Sequence, residues 1–216
     1  MDPLSEKYAY QSHYNFAENR VIDGRELEGL EWIKSTALND NGTKTYTISA
    51  TINLVNKSQN LTSEGVESFK QNFVSQMKES LGGTMNNGDN IVIGDVSFSD
   101  KGTYTMAITD KISFGESGTE LPNGTETKGY TYGENGNSQN NYMEVVNSGD
   151  KTSLYATHEV GYSLGLKHQD DKSNDVKDKI KTDNLMFAPQ FKASTQTISE
   201  QKQTIIQNIP DEKDKK

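Results

Sequence analysis

Apolar and polar residues alternate most clearly in KTYTISATINLV, where Tyr46, Ile48, Ala50, Ile52 and Leu54 occupy every second position. A period of two puts one face of an extended strand in a core and the other outside it. The period changes in TSEGVESFKQNFVSQMKESLGG. There Val66, Phe69, Phe73, Met77 and Leu81 recur three and four apart, which predicts an amphipathic helix with a Thr or Ser cap and a Gly-Gly end. NIVIGDVSFS and TYTMAITDKISF return to strand patterns, and KGYTYG and NYMEVVN are shorter strand-like islands. DKTSLYATHEVGYSLGLKH reads as a second helix, with Asp150 as its cap and Gly165 as its stop. DDKSNDVKDKIK is expected as a solvated charged loop, DNLMFAP as a tight apolar turn, and SEQKQTIIQNI as a closing helix capped by Ser199.

This order predicts an α+β fold, with a mixed or mostly antiparallel twisted sheet backed by helices. One domain is expected over residues 35–209, after an N-terminal segment 1–34 of mixed aromatics and charges and before a disordered tail, 210–216. No internal repeat is visible.

Composition narrows the function. The chain of 216 residues is long enough for one real core. A net charge of -9 argues against nucleic-acid partners and anionic membranes, which need clustered Lys and Arg. No cysteine is present, which excludes disulfides and thiolate metal sites. No signal peptide is expected at MDPLSEKYAY, and no run approaches the length of a membrane span.

The chemistry concentrates in HEVGYSLGLKH, residues 158–168. On a helix, His158 and position 162 share a face, with Glu159 beside them. Gly165 can take the left-handed conformation that ends the helix, and the chain then brings His168 back toward the same point. Three converging side chains with an open fourth position hold a catalytic zinc, and an adjacent carboxylate serves as general base. The chain has 3 histidines, and two of them, His158 and His168, fall in this segment. A lone histidine on a helix is more often a packing or surface residue; register and scarcity carry the signal here.

These residues resemble the metzincin zinc-peptidase motif H-E-x-x-H-x-x-G-x-x-H, with Tyr162 at the second histidine. Met186, in Leu185-Met186 followed by Pro189, resembles that clan's methionine turn. The resemblance covers roughly residues 44–209 in architecture and is specific in 158–168 and 184–189. It implies a metzincin-like (zincin) catalytic domain with a backing helix, an active-site helix, a Met-turn and a C-terminal helix. It further implies zinc held by His158, His168 and position 162, Glu159 as general base, and a protein or peptide substrate. An edge strand is expected to pair with extended substrate, and Gly129, Tyr130, Thr131 and Tyr132 are its candidate.

Tyr162 is the departure. A phenol has an ordinary pKa of ~10 and must lose its proton to ligate well, and its oxygen lies further from the backbone than an imidazole nitrogen. Tyr162 as phenolate could hold a displaced zinc. It could block the site, leaving an inactive pseudopeptidase that binds peptides or proteins. Or it could be a single-base change in a protein that ordinarily carries His there. Impaired activity is expected in each case. Asp170 and Asp171 offer substitute carboxylates, although a solvated acidic loop is the blander reading. ENGNSQNN and DDKSND could hold calcium through oxygen ligands, but neither has EF-hand spacing.

The N-terminal segment resembles the end of an Rhs/YD-repeat core, through Asp2-Pro3-Leu4, Tyr14-Asn15, Glu18-Asn19 and Asp23-Gly24-Arg25. It departs from the usual N-N-P with Glu18-Asn19-Arg20. That resemblance implies a variable toxin tip, secreted or delivered as part of a larger protein, with a cognate immunity protein. The alternative is an arm that simply packs on the domain.

Overall fold

The computed structural model describes residues 32–102, 104–112, 128–131, 142–168, 171–181, 184–187 and 196–212. Its elements are β1 (Ile33–Leu38), β2 (Lys44–Asn56), α1 (Ser63–Leu81), β3 (Gly83–Thr84), β4 (Asn90–Phe98), β5 (Tyr104–Thr109), β6 (Gly129–Thr131), β7 (Tyr142–Val146), α2 (Thr152–Ser163) and α3 (Ser199–Asn208). The described strands join in one mixed sheet in the order β3-β4-β2-β5-β7-β6, with β1 also on β2. The chain is therefore α+β. β4, β2, β5 and β7 run parallel, whereas β1, β3 and β6 are antiparallel additions. The expectation of a mixed sheet holds; its centre is parallel.

The alternation in β2 has the predicted effect, for Ile48, Ala50 and Ile52 are buried. α1 lays Phe69, Phe73, Met77 and Leu81 into the same core. Phe73 stacks on Phe69 with ring centroids 5.6 Å apart and meets Phe98 of β4 at 6.4 Å. Thr62 caps α1 by accepting a hydrogen bond from the Gly65 amide at 3.1 Å. α2 lies beside α1 and against β6 and β7.

Several local expectations need correction. Asp150 does not cap α2. It sits in a tight turn, Gly149–Lys151, that leads into the helix, and the cap position falls on Lys151, which makes no side-chain cap. Ser199 is the first residue of α3, not its cap. Its hydroxyl accepts from the distant Asn86 amide at 2.8 Å, while the Gln201 side chain takes the Ile198 amide at 3.0 Å. The third strand stops at Thr109, where Asp110 turns to bond Ser58 and the Gln59 amide.

β1 carries no alternating pattern because most of it is exposed, and it is placed by the turn at Asn39–Thr43. It begins inside the segment that resembles an Rhs core end, and Trp32 just before it is a core residue. Residues 1–31, which carry the rest of that resemblance, lie outside the described residues. Pro210 and Asp211, at the start of the expected tail, pair with Lys34 of β1. Lys34 Nζ also donates to the last carbonyls of α3, Ile206 O at 2.6 Å and Ile209 O at 2.7 Å. No helix among the described residues is long and apolar enough to cross a membrane.

Candidate active site

α2 is buried from Thr152 to Gly161 although half of that stretch is polar. Buried polar groups cost free energy unless they are bonded, so each needs a partner. Thr157 donates to its own helix at Ser153 O, 2.8 Å away. His158 and Glu159 find partners outside the helix, and those partners define the site.

His158 is 4% exposed. Its Nδ1 lies 2.6 Å from the carbonyl oxygen of Leu185. A carbonyl only accepts, so Nδ1 carries the proton and Nε2 presents its lone pair. Burial pushes the His158 pKa down to about 4, helped by His168 nearby and opposed by the Leu185 bond. The ring is therefore neutral at pH 7.

Two rings converge on it. Tyr162 stands edge-on with centroids 5.1 Å apart, and its hydroxyl lies 3.2 Å from His158 Nε2. Because Nε2 is the acceptor, the Tyr162 hydroxyl donates. His168 also stands edge-on to His158, with centroids 5.8 Å apart. Its approach depends on Gly165, whose φ of +84° ends α2 in the left-handed region. Gly165 N and Leu166 N bond back to Tyr162 O and Gly161 O, each at 2.9 Å. Beyond the turn, buried Asn174 donates to His168 O at 3.0 Å and to Lys167 O at 3.3 Å.

Two spacings in this group are near those of ligands on a tetrahedral ion. Bonds of about 2.0–2.1 Å at the tetrahedral angle put two donor atoms roughly 3.3 Å apart and two imidazole centroids roughly 5 Å apart. The separations of 3.2 Å for His158–Tyr162 and 5.8 Å for the His158–His168 rings are close to this. Among the described residues no three His, Cys, Asp or Glu side chains gather in this way. The third donor here is a phenol.

Glu159, 5% exposed, lies beneath β6. A Cβ built on Gly129 falls 2.5 Å from Glu159 Oε1, so any other residue collides with the carboxylate. The Thr131 hydroxyl donates to Glu159 Oε2 at 2.8 Å. Burial raises the Glu159 pKa to about 8, against the opposing effect of bonds from the Thr131 hydroxyl and amide. β6 pairs antiparallel with β7, Gly129 opposite Val145 and Thr131 opposite Met143, at the end of the described sheet.

Met186 lies directly under α2. A Cβ on Gly161 falls 2.5 Å from Met186 Sδ, so the close approach depends on glycine. The structure thus brings together His158, Glu159, Tyr162, His168 and Met186, with Gly129, Tyr130 and Thr131 on the strand above. Tyr132, Pro189, Asp170 and the ENGNSQNN loop lie outside the described residues. Asp171 engages the Ser173 amide and hydroxyl at 2.8 and 2.7 Å.

Sequence reasoning placed Thr131 on a substrate edge and did not foresee its bond to Glu159. It also missed Gly161 and the Leu185 carbonyl. Gly161 could have been noticed, since glycine inside a helix costs about 1 kcal/mol relative to alanine and calls for a packing reason. No protein-family model and no curated protein matches this sequence.

Proposed function

We propose that the chain is a zinc-dependent endopeptidase domain of metzincin type whose activity is impaired by Tyr162. One observation carries the reading: the Tyr162 and His168 rings both pack edge-on against the buried His158 ring, with the Glu159 carboxylate on the same helix. Met186 beneath Gly161 and the antiparallel edge strand β6 above Glu159 support it. His158, His168 and position 162 are the residues that would hold zinc. When bound, such an ion polarises the scissile carbonyl and makes the attacking water more acidic.

The chain's own residues supply the rest. The Leu185 carbonyl keeps the His158 Nε2 lone pair directed inward. β6 offers a strand edge for an extended peptide. In its ionised form, Glu159 takes one proton from the attacking water as the water oxygen bonds to the carbonyl carbon. The same proton then passes to the leaving amine nitrogen as the C–N bond breaks, which restores the carboxylate. Thr131 holds Oε2 of Glu159 throughout. The resemblance of residues 1–34 to an Rhs core end supports a delivered toxin tip with an immunity protein as its partner.

A second reading has its own observation. The Tyr162 hydroxyl donates to the Nε2 atom that a metal would use, and a site closed in this way suits a pseudopeptidase that holds a peptide without cutting it. Metal content and casein cleavage of the chain beside its Tyr162→His variant decide between them. The proposal expects near one zinc per chain and casein cleavage in Tyr162→His, with weaker zinc and little cleavage in the parent. Loss of a ligand should exceed the ~10–100-fold effect on affinity typical of outer-shell partners. A Tyr162→His protein that folds and binds no zinc refutes the peptidase reading.

A further inference from the structure

The turn that carries Leu185 and Met186 is held by a buried pair of neutral amides. Asn184 is 3% exposed and Gln201, from the first turn of α3, is 2% exposed. Asn184 Nδ2 donates to Gln201 Oε1 at 2.8 Å, and Gln201 Nε2 donates back to Asn184 Oδ1 at 3.2 Å. Each oxygen accepts a second bond. Asn184 Oδ1 takes the Met186 amide at 2.9 Å, and Gln201 Oε1 takes the Ile198 amide at 3.0 Å. The Phe187 amide bonds to Asn184 O at 3.1 Å and the Leu185 amide to Gln196 O at 2.8 Å. Between these anchors stands the Leu185 carbonyl, which accepts from His158 Nδ1.

We propose that the Asn184–Gln201 pair is a positioning device for His158. By fixing the 184–187 turn, it aims the Leu185 carbonyl at Nδ1 and so decides which imidazole nitrogen is left to bind. A buried amide pair is not needed for stability as such, because replacing both partners of a buried hydrogen bond by apolar groups of similar shape can be nearly neutral. What an apolar pair cannot do is hold the Met186 amide at a set place and angle. Asn184 and Gln201 also tie the site to the rest of the molecule. Just before α3, the Thr197 amide and hydroxyl both donate to Ser80 O at the end of α1, at 2.9 and 2.8 Å. The C-terminal helix therefore acts on His158 through the 184–187 turn, without a hydrogen bond of its own to the His158 ring among those described.

The test needs no metal for its first arm. Nitrogen-15 histidine spectra of the parent chain should show His158 as the Nδ1–H tautomer, assigned by its absence from His158→Asn; the chain has 3 histidines to resolve. In Asn184→Ala and in Gln201→Met the His158 signal should move toward a mixture of tautomers. Phe73→Leu, a core change far from the turn, should leave it unmoved despite lower stability. Should Asn184→Ala fail to fold, Gln201→Met carries the same readout. The second arm rests on the proposed function. In the Tyr162→His background, either turn variant should weaken zinc binding by about 10–100-fold, as outer-shell partners do. An unchanged Nδ1–H signal in folded Asn184→Ala or Gln201→Met overturns the inference. A Tyr162→His protein that binds no zinc overturns only the peptidase reading, because the tautomer measurement stands without it.

Discussion

The two helices that share one side of the sheet bury different chemistry. α1 presents Phe69, Phe73, Met77 and Leu81 to β2 and β4, and its contribution to the core is almost wholly apolar. α2 buries far more of itself, every residue from Thr152 to Gly161, and what it buries includes Thr157, His158 and Glu159. The apolar contacts under α1 lower the free energy of folding directly. The polar groups of α2 raise it unless every donor and acceptor is met, and they are met by Leu185 and Thr131 from elsewhere in the chain and by Ser153 and Tyr162 within α2 itself. A helix buried in this way is explained by what its side chains do, not by how they pack.

The largest effect is expected at Glu159. In the Tyr162→His background, Glu159→Gln should lower kcat by about 10²–10⁴-fold, the usual contribution of general acid–base catalysis, while zinc remains bound. The same change should act oppositely on stability. Burial raises the folded pKa of Glu159 from 4.5 to about 8, so the folded state holds the proton more tightly than the unfolded one. In chelator-treated protein the parent should therefore lose stability as pH rises from about 4.5 to about 8. Glu159→Gln should match the parent below that window and exceed it above, as urea unfolding at several pH values will show. A Glu159→Gln chain less stable than the parent at pH 9 contradicts this account.

On the α1 side, Phe73→Ala should cost about 3–5 kcal/mol of unfolding free energy through lost contacts and a cavity. It should leave the zinc stoichiometry of Tyr162→His unchanged in whatever fraction stays folded. A selective loss of zinc in the folded fraction breaks the distinction between the two helices.

Thr131→Val tests the bridge between β6 and α2. It removes a hydrogen bond to a carboxylate, an interaction worth about 1.5–3 kcal/mol. In the Tyr162→His background kcat should fall roughly tenfold while KM changes little, and Thr131→Ser should restore it. A change confined to KM assigns Thr131 to substrate binding alone.

The smallest effect is expected at Gly165, where φ is +84°. Gly165→Ala should cost about 1 kcal/mol for the left-handed backbone, and more through its collision with the Asn208 side chain. Asn208 donates to Leu164 O at 3.1 Å and closes the end of α2. Gly165→Ala/Asn208→Ala should recover part of the loss in thermal unfolding, and failure to recover would make the backbone term the whole effect.

Much of the architecture was legible because burial leaves a period. β2 and α1 each keep one face in the core, and a half-buried strand and a one-faced helix write that fact as alternation and as three-four spacing. β1 leaves no such mark because it is mostly exposed, and β3 is too short to show one. The caps went astray for a different reason. Asp150 and Ser199 are good local caps, but a leading turn displaced the first and the distant Asn86 amide claimed the second.

The site divides along the same line. The sequence by itself determined which residues are available: His158, Glu159, position 162 and His168 in one register, Gly165 to turn the chain, and Met186 downstream. Helical geometry makes that spacing informative, since it depends only on neighbours along the chain. Only the tertiary structure decided what those residues touch. It put the Leu185 carbonyl on Nδ1, Thr131 and Gly129 over Glu159, and Gln201 behind Asn184. Those contacts join residues up to 30 positions apart around the site, Gly129 and Glu159 being the most distant pair, and no local period records them. Their cause is the need of each buried polar group for a partner, which the chain can meet only after folding.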